Sequence, residues 1–169
     1  MSTPEDRADI TIEPVDVRSP EARELVAAYL AEIALAFGHD ASQAPPVDDE
    51  DFDPPNGRFL VVRDERGAAV GCGSVRLIDA ATAEVKRMYI SPRIRGRGAG
   101  WALLQALEAT AVELGATTGV LDTNATLTSA LALYRANGWQ EVAPYNDNDQ
   151  ATHWFRKDLL TTCQTLATS

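Results

Sequence analysis

The chain has 169 residues and sets 25 acidic against 15 basic side chains, a formal net charge of −10 at pH 7. That length suits one domain with a full hydrophobic core, and the charge argues against nonspecific nucleic-acid binding, because a phosphate backbone rewards basic surface. No run reaches the ~20 apolar residues of a membrane helix, the acidic opening Met1-Ser2-Thr3-Pro4-Glu5-Asp6 is unlike a signal peptide, and two distant cysteines, Cys72 and Cys163, with only His39 and His153 beside them, make neither a disulfide framework nor a zinc spacing. The expectation is a cytoplasmic protein that binds no metal, no nucleic acid and no membrane.

Residues 1–9 read as a flexible N-terminus, and 11–16 alternate weakly as a first strand. Ser19, Pro20 and Glu21 then supply an N-cap, an N1 proline and a first-turn acid. The helix they open carries Leu25, Tyr29, Ile33 and Phe37 at steps of four and stops at Gly38. From Asp40 to Asn56 the composition turns to Pro, Asp and Ser without periodicity, which predicts a long loop with room for a short helical turn. Loops of this length are often lids or binding loops.

Residues 58–63, a turn over Asp64-Glu65-Arg66-Gly67, and residues 68–78 predict a hairpin, with Gly71 and Gly73 thinning its second strand. Residues 83–90 follow as the antiparallel neighbour. After a glycine turn comes a helix whose stripe Leu104, Leu107, Ala111, Leu114 ends at Gly115. Residues 119–123 make a short buried strand, 127–137 a helix stopped by Gly138, and 152–159 a closing strand after a turn at Asn146-Asp147-Asn148. A single domain over 10–160 and a frayed tail over 161–169 complete the reading. The order of elements gives a mixed α/β sheet with helices on both faces.

Residues 84–104 carry the message. A strand, a stop at Pro92, glycines at 96, 98 and 100 among arginines, and then an apolar helix together describe a backbone that curls several N–H groups toward one point at a helix N-terminus. This is a phosphate cradle. It is neither a Walker loop, which needs Lys-Ser or Lys-Thr where Gly100-Trp101 stands, nor a Rossmann fingerprint, whose third glycine comes one residue later. Lys86, Arg87, Arg93, Arg95 and Arg97 crowd around it, a basic island in an acidic chain that suits a polyanionic cofactor. The plain alternative for Arg93 and Arg97 is solvated loop charge.

Arg95-Gly96-Arg97-Gly98-Ala99-Gly100 fits the pattern Arg/Gln-x-x-Gly-x-Gly/Ala behind a strand, and resembles the acetyl-CoA-binding motif of the GCN5-related N-acetyltransferases (GNAT). The resemblance runs from about Arg58 to Leu160. Three further pieces fall in order: Leu121-Asp122-Thr123 on a strand, the run from Ala130 to Trp139 across a helix end, and Pro144-Tyr145-Asn146 before the last strand. One departure is Leu127, where many relatives carry an Asn that touches the pantetheine arm. The resemblance implies the acyl-CoA N-acyltransferase fold, a mostly antiparallel sheet whose fourth and fifth strands splay apart, here between residues 84–90 and 119–123. It also implies acetyl-CoA as co-substrate and direct transfer to a primary amine of a small molecule, with a homodimer as one open arrangement.

Acetyl transfer asks for a neutral amine, a donor to the carbonyl oxygen and a proton for the departing thiolate. No nucleophilic triad is needed. By family position the oxygen and pantetheine donors fall to the backbone of Met88, Tyr89 and Ile90, and the phosphates to Arg95, Gly96, Arg97, Gly98, Ala99 and Gly100. Tyr134 becomes the general acid toward sulfur, although Leu127, Leu131 and Tyr134 share a helix face and an aromatic there is often core. Glu84 becomes the general base, with an exposed ion pair to Lys86 as the plain alternative. Asn124 either caps the next helix or touches pantetheine, capping being the simpler role. The acidic run Asp48, Asp49, Glu50, Asp51, Asp53 either recruits a cationic amine or is solvated surface. Rival readings are a protein lysine or N-terminal acetyltransferase, a non-catalytic acyl-CoA sensor, and an RNA-binding arginine-glycine segment, which the apolar helix and negative charge disfavour.

Overall fold

Ser19 Oγ accepts the amide of Ala22, Pro20 takes the first helical position, and Gly38 closes the other end in the left-handed conformation, so α1 runs Pro20–Phe37. In this computed structural model residues 7–38 and 49–161 are described. The expectations for residues 1–6, for 39–48 of the long loop and for 162–169 lie outside the described residues. The strands are β1 (Thr11–Val15), β2 (Gly57–Arg63), β3 (Ala69–Leu77), β4 (Thr82–Ile90), β5 (Thr118–Thr123), β6 (Gln140–Val142) and β7 (His153–Asp158). Helices α2 (Ala99–Glu113) and α3 (Thr128–Ala136) follow β4 and β5, and short helical turns stand at Asp49–Phe52 and Pro92–Ile94.

The strands form one seven-stranded sheet in the order β1-β2-β3-β4-β5-β7-β6, antiparallel throughout except between β4 and β5. β2 shows why the sheet is covered on both faces. Its apolar run is continuous, and a period of two sends Leu60 and Val62 to the α2 and α3 side and Phe59 and Val61 to the α1 side. On the first side Leu103, Leu104 and Leu107 of α2 are wholly buried against Val75, Leu121 and Phe155. On the second, Ala22 and Leu25 of α1 close over Phe52, Phe59 and Cys72. The first core also swallows an ion pair: Lys157 Nζ donates to both oxygens of Glu108 at 3.0 Å, and Trp139 Nε1 donates to Oε1 at 2.9 Å.

The parallel pair is short. β4 and β5 are in register only from Thr82↔Thr118 to Glu84↔Val120, and beyond Glu84 that edge of β4 has no strand partner among the described residues. This is the expected splay. The three residues of β6 were not foreseen, because Gln-Glu-Val offers no alternation and the pairing with β7 is what makes it a strand.

Candidate active site

The glycine turn is a cradle made of backbone. Ser91 Oγ accepts the amide of Arg93, Ile94 is buried beneath, and Gly96 and Gly98 stand at φ +77° and +83°, where a side chain is strained. Gly98 is the N-cap of α2 and brings no side chain to accept its first-turn amides, so they stay available to an anion. A Cβ at Gly96 would meet nothing within 4 Å, and one at Gly98 only Arg7 Cγ at 3.9 Å. Gly100 is different in kind. It lies within the helix, and its ideal Cβ would sit 3.6 Å from Leu133 Cδ2. Open space, uncapped amides and the positive helix end fit the diphosphate of acetyl-CoA.

The basic island around it disperses. Arg95 donates to Glu32 Oε2 at 2.6 Å and to the Ile90 carbonyl at 2.8 Å, and lies 5.8 Å over the Tyr89 ring, so its guanidinium ties the turn to α1. Arg93 pairs with Asp64 at 3.5 Å and Lys86 with Glu84 at 3.6 Å. Arg97 is exposed on the turn, and its carbonyl accepts the amide of Ala8 at 2.9 Å. Its neighbour Ala99 is buried at the helix start.

A cavity of about 340 Å³ opens at the splay. Its walls come from α1 (Tyr29, Ile33), β4 (Val85 to Met88), β5 (Asp122, Thr123) and α3 (Ala130, Tyr134). Tyr134 is 7% exposed, its rim packed on Trp139 and Phe155, and its hydroxyl lies 3.8 Å from Met88 Sδ. Burial, with Tyr29 and Asp122 close by, raises the phenol above its ordinary value of 10.0, so it remains a proton donor. Of the expected site residues, Tyr134 and Met88 therefore meet. The side chains of Tyr89 and Ile90 join the cores on opposite faces.

Glu84 lies elsewhere. It is 2% exposed and is not among the cavity-lining residues; Arg76 Nε donates to its Oε1 at 3.0 Å and the Tyr145 hydroxyl to its Oε2 at 2.6 Å. Burial and this carboxylate together push the Tyr145 phenol up. The ion pair with Lys86 exists, with Glu84 buried and Lys86 half-buried, where an exposed pair was the plain expectation. The carboxylate that does face the cavity is Asp122, whose Oδ2 accepts Asn146 Nδ2 at 2.6 Å; Asn146 Oδ1 in turn accepts Trp154 Nε1 at 2.8 Å. Asn124 organises the approach to α3, accepting the amide of Thr126 and donating to the Gln150 carbonyl, while Leu127 takes the N-cap position and lines the cavity.

The acidic run is spent internally. Asp49 pairs with Arg23, Asp53 with Arg18 and Asp51 with Arg76, and none of the three lines the cavity. Asp48 lies outside the described residues. Tyr29, Asp122 and Asn146 are residues to which reading along the chain gave no chemical role, and Arg87 entered only as one of the basic island expected around the cofactor. A lone Asp inside the apolar run 119–123 is the signal that marked one of them, since an unpaired carboxylate in a buried strand is costly.

The GNAT acetyltransferase family model matches residues 24–139. An N-acetyltransferase of uncharacterised substrate from Schizosaccharomyces pombe is 37% identical over 131 residues, 73% of this chain and 77% of the relative. An IAA acetyltransferase from Azospirillum brasilense is 36% identical over 92 residues, 54% of this chain and 60% of its own. A Klebsiella pneumoniae crystal structure, named as a candidate acyl-CoA N-acyltransferase, superposes with a TM-score of 0.74 at 33% identity, covering 90% of this chain and 99% of that one.

Proposed function

Because the chain belongs to the GNAT family and is an acetyl-CoA-dependent N-acetyltransferase, we propose that it acetylates the primary amine of a small molecule. The observation that carries this reading is the cavity itself. At about 340 Å³, roofed by α1 and holding Asp122 in its wall, it has the size and the anionic group for a compact amine beside a thioester arm. The name of the Azospirillum relative supports a small-molecule acceptor.

Acetyl-CoA supplies an activated acetyl group and a sulfur that must accept a proton as it leaves. The residues of this chain divide the remaining work. The uncapped amides at Gly98 to Gly100 hold phosphate, and the free edge of β4 around Met88, Tyr89 and Ile90 offers N–H donors for the pantetheine arm and the acetyl oxygen. Asp122 collects the ammonium form of the acceptor and takes up its proton, directly or through water. This is the part expected of Glu84, which here becomes a positioning residue, fixing Tyr145 and Arg76 behind β4. Tyr134, kept neutral by burial, donates toward sulfur.

The test is free-thiol release from acetyl-CoA across amines, polyamines, amino acids and peptides. Turnover with small amines and none with peptides is expected. Turnover confined to peptides would replace the reading with protein acetylation, and background rates throughout despite cofactor binding would replace it with a sensor.

A further inference from the structure

Arg87 differs from the cations nearest it in chain and fold. Arg76, Arg18, Arg23 and Lys86 are each neutralised by a carboxylate. Arg87 lines the cavity and has no carboxylate within salt-bridge reach among the described residues. Its guanidinium carbon instead lies 5.3 Å over the ring of Phe52, itself 2% exposed. A guanidinium laid on an aromatic face is held in plane while its edge N–H groups remain free, the geometry that receives a carboxylate through two parallel hydrogen bonds.

The backbone is arranged to deliver that side chain. Arg87 is the sole non-glycine residue with positive φ among the described residues, at 53°. It lies where the β3 and β4 register shifts between Cys72↔Tyr89 and Ser74↔Lys86, and both flanking carbonyls are pinned from β3: Cys72 Sγ donates to Arg87 O at 3.4 Å and Ser74 Oγ to Lys86 O at 2.9 Å. Such a conformation is strained for a residue with a Cβ. Strain of this kind persists where the surroundings over-determine it, and concentrates at binding sites. An arginine is a poor choice for a merely structural bulge.

Arg87 and Asp122 thus put one positive and one negative group into the wall of the same small cavity, and the charge of each bears on the hydroxyl of Tyr29, which lines it too. Resting on the acetyl-transfer reading, we propose that the acceptor is zwitterionic, a free amino acid whose amine is drawn to Asp122 and whose carboxylate is held by Arg87.

The experiment measures kcat/KM for a panel of α- and γ-amino acids, each paired with its carboxamide, in the full-length enzyme. The carboxamide's amine is the more easily deprotonated, so chemistry alone favours the amide. The wild type is expected to prefer at least one acid over its amide by about tenfold or more, carried mostly in KM. Arg87→Met should abolish that preference, and Arg87→Lys should restore part of it, which a purely structural bulge residue would not do. Acetyl-CoA affinity by calorimetry, within about twofold across the three proteins, shows that the variants are folded. Equal or amide-favouring turnover in the wild type, or a preference that survives Arg87→Met, overturns the carboxylate assignment and leaves amine acetylation standing. Background rates with both members of every pair and with all other amines, despite tight acetyl-CoA binding, overturn both.

Discussion

On the proposed function, the donor half and the acceptor half of this site are built from different materials. The donor half is backbone: two left-handed glycines, a helix N-terminus without a side-chain cap, and a strand edge freed by the splay. The acceptor half is side chain: Tyr29 from α1, Arg87 from the β4 bulge, Asp122 from β5 held by Asn146 from the loop before β7. A common cofactor can be gripped by groups that every residue possesses, whereas a particular amine needs particular charges. Substitutions should therefore separate the two halves cleanly.

The largest effect is expected from Gly98→Asp, which forces a Cβ into the left-handed region and sets a carboxylate over the cradle. Acetyl-CoA affinity by calorimetry should fall more than about a hundredfold with the circular dichroism unchanged; retained binding would mean the phosphate is held elsewhere. Next comes Asp122→Asn, which keeps an oxygen for Asn146 but removes the charge. It should lower kcat/KM for the acceptor by about 10²–10³ while acetyl-CoA binding stays within twofold, and a matched loss of cofactor affinity would erase the boundary between the halves.

Tyr134→Phe sits on that boundary. A loss of about 10² in kcat with KM little changed is expected if the hydroxyl serves the leaving sulfur. The pH dependence sharpens it: the folded phenol's pKa is raised, so the neutral donor form persists and Tyr134 should impose no alkaline fall in rate below pH about 10. The smallest effect belongs to Glu84→Gln. Its amide can still accept from Tyr145, so a change of about tenfold or less, without loss of the acid limb of the pH–rate profile, marks a positioning residue. Disappearance of that limb would return Glu84 to the role of base.

How much of this was legible follows the same division. The cradle could be read because consecutive residues make it, and its register is fixed by glycines that only a turn requires. Helix ends at Ser19, Gly38 and Gly115 were readable for the same local reason. Tyr134 could be placed on its helix, but that its hydroxyl reaches Met88 depends on β4 and α3 meeting across the splay. Arg95 and Glu84 show the opposite case. Family position put one at the phosphates and the other at the amine, and partners 63 and 61 residues away, Glu32 and Tyr145, engaged their polar groups instead. Asp49, Asp51 and Asp53 of the acidic run were likewise turned into salt bridges by arginines on α1, β3 and the approach to α1.

By itself the chain order determined the sheet with its covering helices and the glycine turn before α2, because turn chemistry and period-two or period-four patterning act over a few residues, while the family resemblance carried by that turn supplied the dependence on acetyl-CoA. Tertiary structure decided which charges remain available. Ion pairing falls off within a few ångströms, so Asp122 and an Arg87 unpaired among the described residues face the cavity together only because folding gave Arg76, Arg18, Arg23 and Lys86 carboxylates of their own.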